Sequence, residues 1–482
     1  MRVPVAMVGI VGYAVSWARG TKGVMVSRRW SGGAALLTVG VLVAAALAGC
    51  TGSGSATPSA SPSPTAAPSP VSLTFGVFGP DAELVAYSDL ARAYTAGHDN
   101  VNVTVVPWAD RDAQAKAFRS GEPVPDVFML SQRDLAWALD NGVTQPVDEL
   151  LDARGVSFGD DYARDALAAF AGDNSLACMP YSISPMVIYY NTDLIDFDRM
   201  RRRGLDAPEE LDSWNFDQFT AAAEFATRPA RGTRGVYIAP SLQGLAPFIY
   251  SGGGQVFDEP KDPTSLAFST GDTQSALEAT LTLLRDAQVT PTPAQLAEED
   301  PLTLFKEGKL GMIAGFRNLT PELRTVEGLS FDVMPMPRIT RSGTVGDVAG
   351  MCIAADTDNV EAAADFLVNV LSEEAVATVA SQGYIVPANV AVATSDAFLQ
   401  PTQLPANAAI FNASVRDIVV PPQLDSWARL EAAAAPGIHE LLTVTVLDEA
   451  AMDDITGRID EASQPVLNPP SPSSSPSATP SS

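Results

Sequence analysis

The chain has 482 residues, 46% of them apolar, enough to bury a full core and better suited to two domains than to one. Its formal net charge is −27. Setting aside the basic, acid-free stretch Met1 to Gly49 leaves 25 basic against 57 acidic residues, a net of −32. Such a surface repels phosphate backbones, which argues against nucleic-acid binding.

In chain order, Arg28 and Arg29 precede an apolar run from Gly32 to Ala48 that ends in Leu47-Ala48-Gly49-Cys50. A basic segment, a short apolar segment and small residues at the cut make residues 1–49 a signal peptide, too short in its apolar part for a comfortable membrane span. Leu-Ala-Gly-Cys resembles the bacterial lipobox, in which the cysteine is diacylated and becomes the mature N-terminus. Cys50 is therefore the expected lipidation site, carrying palmitate-type acyl chains at the extracellular face of the cell membrane. The bland alternative is an ordinary cleavage site with an incidental cysteine. Sec and twin-arginine export both stay open, as do starts at Met1 and Met25. Residues 50–70, almost all Thr, Gly, Ser, Ala and Pro, read as a tether with a reach of about 25 Å, and 465–482 as a second, disordered Pro/Ser tail.

The folded part spans about Val71 to Ala462. Leu73 to Phe78 has the content of a buried strand, and Pro80, Asp81 and Glu83 open a helix that Gly97 ends. Val101, Val103 and Val105 mark a second strand, Arg111 to Arg119 a polar helix, and Asp126 to Leu130 an apolar strand. This β-α-β-α-β order is the signature of a parallel sheet with helices on its faces. Further on, Val187 to Tyr190 reads as a strand, and Phe216, Phe219, Ala223 and Ala226 share one helix face. Gly252-Gly253-Gly254 makes a tight turn that lets backbone approach a neighbour or a ligand. Thr273 to Ala287 is a helix, Gly311 to Ala314 and Phe331 to Met334 are short strands, and the C-terminal part is helical.

Catalytic patterns are sparse. Gly155-Val156-Ser157-Phe158-Gly159 matches G-x-S-x-G, the best case for a secreted serine hydrolase. A nucleophile elbow needs a buried strand before the serine, whereas Leu150 to Arg154 reads as a polar helix end. Only His98 and His439 could act as base, and each reads as a surface or capping residue. Metal, nucleotide and dinucleotide motifs are missing, so no cofactor and no enzymatic activity are expected.

Several blocks together carry a resemblance. Pro125-Asp126-Val127-Phe128, Met179-Pro180-Tyr181, Tyr189-Tyr190-Asn191-Thr192-Asp193-Leu194, Trp214 to Phe219, Phe305 to Met312 and Ala362 to Leu367 resemble, in order and spacing, the extracellular solute-binding family that includes maltose- and other sugar-binding proteins. The resemblance implies an α/β, two-lobed periplasmic-binding-protein-like fold of type II, each lobe a mixed sheet flanked by helices, with three crossovers forming the hinge. It places lobe 1 at 71–178 and 351–400 and lobe 2 at 181–349 and 405–462. It also implies a monomeric, non-catalytic receptor that passes a small solute, a sugar, to the permease subunits of an ABC importer; service to a sensor instead is the runner-up.

Carried over by block position, the ligand-binding candidates are Asp81, Gln132, Arg133 and Asp134 from lobe 1, Ser184 past the first crossover, and Gln243, Phe316, Arg317 and Trp427 from lobe 2. Sugar recognition needs aromatic faces against C–H surfaces and planar polar groups for hydroxyl pairs. Trp427 falls where sugar-binding relatives place a stacking tryptophan. The family often has an acid in place of Ser184 and an aromatic in place of Gln243 or Arg317, and an arginine in the cleft would also suit an anionic ligand. The two cysteines other than Cys50, Cys178 and Cys352, flank the first two crossovers. In an exported domain an even pair favours a disulfide, and in relatives these crossover strands run side by side. Two buried, reduced cysteines in neighbouring strands is the alternative.

Overall fold

The β-branched and aromatic content of Val71 to Phe78 makes it a strand, β1, in the computed structural model, which describes residues 70–159, 161–172 and 175–469. In chain order the other strands are β2 (Val101–Trp108), β3 (Val127–Ser131), β4 (Thr144–Gln145), β5 (Ala171–Gly172), β6 (Ser175–Leu176), β7 (Met179–Pro185), β8 (Val187–Asn191), β9 (Arg234–Tyr237), β10 (Leu310–Gly315), β11 (Phe331–Met334) and β12 (Gly346–Ala354). Among the helices are α1 (Asp81–Gly97), α2 (Arg111–Arg119), α3 (Phe216–Ala226), α4 (Leu242–Gly252), α5 (Gly271–Leu284), α6 (Val360–Leu371), α7 (Trp427–Thr443) and α8 (Glu449–Leu467). The signal peptide, Cys50 and the tether up to Ser69 lie outside the described residues. Among the described residues no helix is long and apolar enough to cross a membrane.

Two mixed sheets organise the chain. The first has the order β2-β1-β3-β12-β4, with β1 parallel to β2 and β3, β12 antiparallel to β3 and β4, and β7 also paired to β12. The second has the order β11-β8-β10-β9, in which β8 runs antiparallel to both neighbours and β9 lies parallel to β10. The parallel β-α-β-α-β reading of the first segment holds, and the sheet turns mixed where β12 returns. Only Met186 separates β7 from β8, so one extended stretch leaves the first sheet and enters the second. The chain comes back between β11 and β12.

The first sheet reaches further than the expected lobe boundary. Tyr181 to Pro185 and Gly346 to Ala349 pair with each other as part of it, because bare connecting strands would leave backbone N–H and C=O groups unpaired. Their register shifts between Ala349 and Gly350, where a Cβ on Gly350 would come within 2.9 Å of the Phe170 ring. Ordered helix also continues past Pro465, where composition places the start of the tail. Helix α8 runs through Pro465 to Leu467, with Val466 and Leu467 packed on a core and Asn468 donating to the Thr264 carbonyl at 2.7 Å. Those contacts offset the hydrogen bond that Pro465 cannot make.

Three apolar cores follow. One fills the first sheet and its helices and continues through Tyr181, Ile183, Val187, Tyr189, Phe331 and Phe411 onto one face of the second sheet. The opposite face of the second sheet packs on α3 and on Trp214, which is 1% exposed and donates its indole N–H to the Pro335 carbonyl at 2.8 Å. The third core joins α4 and α5 to α7 and α8. The triple glycine serves that helix packing and not a ligand: a Cβ on Gly252 would lie 2.3 Å from the Ala276 Cβ, and one on Gly254 would lie 2.7 Å from the Thr273 Cα.

Cys178 and Cys352 stand one position beyond the registered pair Met179–Met351, which makes them cross-strand neighbours, and their sulfurs are bonded across a Cα separation of 4.3 Å. Both are fully buried in the first core. The bridge spans 174 residues, so in the chain-entropy account it removes about 4–5 kcal/mol of unfolded-state freedom. Two experiments bear on it. Alkylation in denaturant without reductant should add no mass at either cysteine. Replacing both with Ala should lower the unfolding free energy by roughly 2–5 kcal/mol in denaturant titration.

Candidate functional site

Helix α2 begins at Asp110, whose carboxylate accepts from the Ala113 N–H at 2.7 Å, and it buries Gln114, Ala117 and Phe118 against the first sheet. That packing turns Arg111 and Arg119 toward the turn that follows β3, residues Ser131 to Asp134. Asp134 is 4% exposed and lies between the two guanidiniums, 3.3 Å from Arg111 and 3.0 Å from Arg119. Burial alone would lower the pKa of Arg119, but its hydrogen bonds to Asp425 and Asp134 outweigh that and hold it above the ordinary arginine value.

The facing wall comes from the segment before α7 and from the helix itself. Asp425 accepts from Arg119 at 2.8 Å, and the Arg133 guanidinium lies over the Trp427 ring at 5.6 Å. The Gln132 amide reaches the Pro421 carbonyl at 3.5 Å, and Gln423 donates to the Ala171 carbonyl at 3.3 Å. Trp427 is set edge-on to Phe257 at 5.7 Å, and its buried indole N–H has no acceptor among the described residues. One turn on, Glu431 accepts the first N–H groups of α4, from Leu242 at 3.1 Å and Gln243 at 3.3 Å, which ties α7 to α4. Between the two walls lies a cavity of about 690 Å³, lined by Arg111, Lys116, Arg119, Arg133, Trp427 and Glu431 among others.

Beside it run the strands that join the sheets. Asp347, on β12 opposite Ser184 of β7, is solvent-exposed although many protein atoms surround it. Burial raises its carboxyl above the usual range, against the pull of Arg133 and Arg111. Arg133 is lowered by burial and by Arg111, against Asp347 and Glu431. Glu83, in the first turn of α1, is 6% exposed; burial pushes its pKa to about 7, the 3.1 Å hydrogen bond from Tyr87 opposes the rise, and the charge on Asp347 adds to it.

The structure thus brings Gln132, Arg133, Asp134 and Trp427 together and adds Arg111, Lys116, Arg119, Asp425, Glu431, Asp347 and Glu83. Other candidates lie apart. Arg317 is 0% exposed, stacked on Phe398 at 4.9 Å and Phe411 at 5.1 Å, with its backbone N–H held by the Ser184 hydroxyl at 2.9 Å. It faces the protein interior, so neither it nor the engaged Ser184 hydroxyl is presented to a solute. Phe316 packs on the second core, and its carbonyl accepts from Tyr189 at 2.7 Å. Gln243 enters through its backbone, and Asp81 is an exposed first residue of α1. Ser157 sits in an exposed loop after the short helix Asp148–Asp152, with no strand before it. His98 stacks on Tyr94 at 3.9 Å at the end of α1, and His439 is exposed on α7.

Comparison with known proteins bears directly on this arrangement. Residues 89–406 match the model of the bacterial extracellular solute-binding protein family. The chain belongs to this family. Its members are solute receptors and not enzymes. A binding protein of Brucella abortus is 21% identical over 379 residues, 78% of this chain and 89% of its own. The ABC substrate-binding protein of Listeria monocytogenes in complex with cycloalternan superposes with a TM-score of 0.68 at 21% identity, covering 81% of this chain and 98% of that one. The Mycobacterium tuberculosis UgpB structure in complex with glycerophosphocholine gives 0.65 at 17% identity, covering 83% and 99%. Both share the family fold of two mixed sheets flanked by helices.

Glu83 provides a pH test of the buried start of α1. Its folded-state pKa exceeds the ordinary value of 4.5, so the folded protein holds the extra proton; the associated stability is full below about 4.5 and is lost as pH rises to about 7. Glu83→Gln keeps an acceptor for Tyr87 but cannot ionise. The variant should match the parent near pH 4.5 and exceed it above pH 7 by roughly 1–3 kcal/mol in thermal melts. A pH-independent difference would assign the titration to another group.

Proposed function

We propose that this protein is the substrate-binding component of an ABC importer, acylated at Cys50, tethered outside the cell membrane, and capturing an oligosaccharide in the cavity between the two walls. The observation that carries the reading is the cavity's chemistry. An indole stands beside several planar, hydrogen-bonding side chains drawn from both walls, the combination that a ring with paired hydroxyls requires. Charge supports an uncharged ligand. Arg111, Lys116, Arg119 and Arg133 are balanced by Asp112, Asp134, Asp425 and Glu431, and Asp347 and Glu83 lie close by. The cycloalternan complex of the Listeria relative fits the same chemistry. A phosphodiester, as in the zwitterionic glycerophosphocholine of the UgpB complex, would bring its negative charge against that set of carboxylates.

In this reading the monomer alternates between open and closed forms by rotation about the paired strands β7 and β12, and a bound saccharide that touches both walls shifts the balance to the closed form that the permease recognises. The direct test is a thermal-shift screen of linear and cyclic oligosaccharides, amino acids, polyols and sugar phosphates. A ligand at 100 times its dissociation constant adds about 2.7 kcal/mol of stability. Stabilisation by sugar phosphates alone would replace the saccharide reading.

Two further outcomes follow. With the stabilising saccharide in hand, Trp427→Ala should weaken its binding by roughly 1–3 kcal/mol in calorimetry while the ligand-free protein still folds. In the native host, Cys50→Ser should move the protein from the membrane fraction to the medium; continued membrane association without a lipid on residue 50 would refute the anchor.

A further inference from the structure

Arg119 does more than line a wall. One arm of its guanidinium, at 3.0 Å, is fixed by Asp134, a carboxylate that is 4% exposed and also held by Arg111. The other arm, at 2.8 Å, grips Asp425, which lies 306 residues along the chain in the segment leading into α7. Helix α7 belongs to the opposite wall: it shares the third core with α4, α5 and α8, and Glu431 holds the start of α4. The Arg119 to Asp425 contact therefore joins two bodies that are also connected through β7, β12, the last crossover and the shared first core. It lies on the cavity lining and leaves the cavity volume unfilled. The Arg133–Trp427 stack and the Gln132–Pro421 contact join the same two bodies.

We propose that Arg119, anchored by Asp134, is a positioning residue that latches Asp425 and holds the two walls together before any ligand enters. This deepens the cleft reading and rests on it. The asymmetry of the anchor matters. A free surface arginine loses most of the gain from an ion pair to side-chain entropy, but Arg119 is already ordered by its buried partner, so reaching Asp425 costs little more. Asp425, by contrast, is exposed and has Arg119 as its ion-pair partner, which makes it the releasable half. A latch of this kind raises the share of the closed form in the ligand-free protein, and apparent affinity scales with the competent fraction.

The test needs no ligand, so a failed saccharide screen and a failed latch give different results. The full secreted chain carrying Cys50→Ser is compared with the same chain also carrying Asp425→Asn, by small-angle X-ray scattering fitted as a mixture of closed and open forms at low salt. Asp425→Asn should lower the closed-to-open ratio by about two- to fivefold. Asp425→Glu should restore it. Raising salt should open the parent toward the variant and leave the variant unchanged. Asp198→Asn, which breaks a pair with Arg201 inside one helix, is the control and should scatter as the parent. Because Asp425 is exposed in a loop the variant should melt as the parent does, and Asp425→Ser repeats the measurement if it does not. Identical scattering of parent and both Asp425 variants at low salt would overturn the latch.

Discussion

The antiparallel pairing of β7 with β12 is the constraint on which the rest of the molecule depends. It completes the first sheet, sets Cys178 beside Cys352, faces Ser184 with Asp347, and delivers the chain to β8 and so to the second sheet. Both the Ser184–Asp347 pair and the cysteine pair follow from this ladder, which shifts register once between Ala349 and Gly350; a further slip by one residue would turn every side chain beyond it to the other face. The bulge at Ala349 and Gly350 shifts the register by one residue and fits the strands past Phe170.

The site is governed by the burial of a single carboxylate. Asp134 cannot be buried alone, and two arginines from α2 neutralise it. Those arginines are thereby ordered and presented to the opposite wall, where Asp425, Trp427 and Glu431 meet them. What looks from the sequence like a polar surface helix is the electrostatic frame of the cavity.

Most of the architecture was legible because apolar periodicity reports burial directly. The polar helix from Arg111 to Arg119 and the apolar strand after Asp126 lie where the pattern puts them. The site was legible only in part. Arg133, Asp134 and Trp427 sit in the turns that block position assigned to the cleft. Arg317 follows a strand in the same manner but turns inward, and its two aromatic partners are distant in sequence, Phe398 by 81 residues. No local pattern announces such a stack. Arg119 and Asp347 were missed for the complementary reason. One lies on a helix that reads as solvent-facing, and the other on a strand whose neighbours are apolar, and only tertiary packing shows what they confront. At the C-terminus, composition set the tail at Pro465, whereas the packing of Val466 and Leu467 decides the last helical turn.

The first core does not stop at the connecting strands. Tyr181, Ile183, Val187 and Tyr189 belong to the same apolar cluster as Phe75 and Phe128 on one side and Phe331 and Phe411 on the other. The first core is therefore shared by both halves. A chain cut at the crossovers would expose in each fragment the apolar face that the other half covers, a cost of about 25 cal/mol for every Å² returned to water. Loss of order in one half would withdraw from the other the apolar cover that the shared core provides.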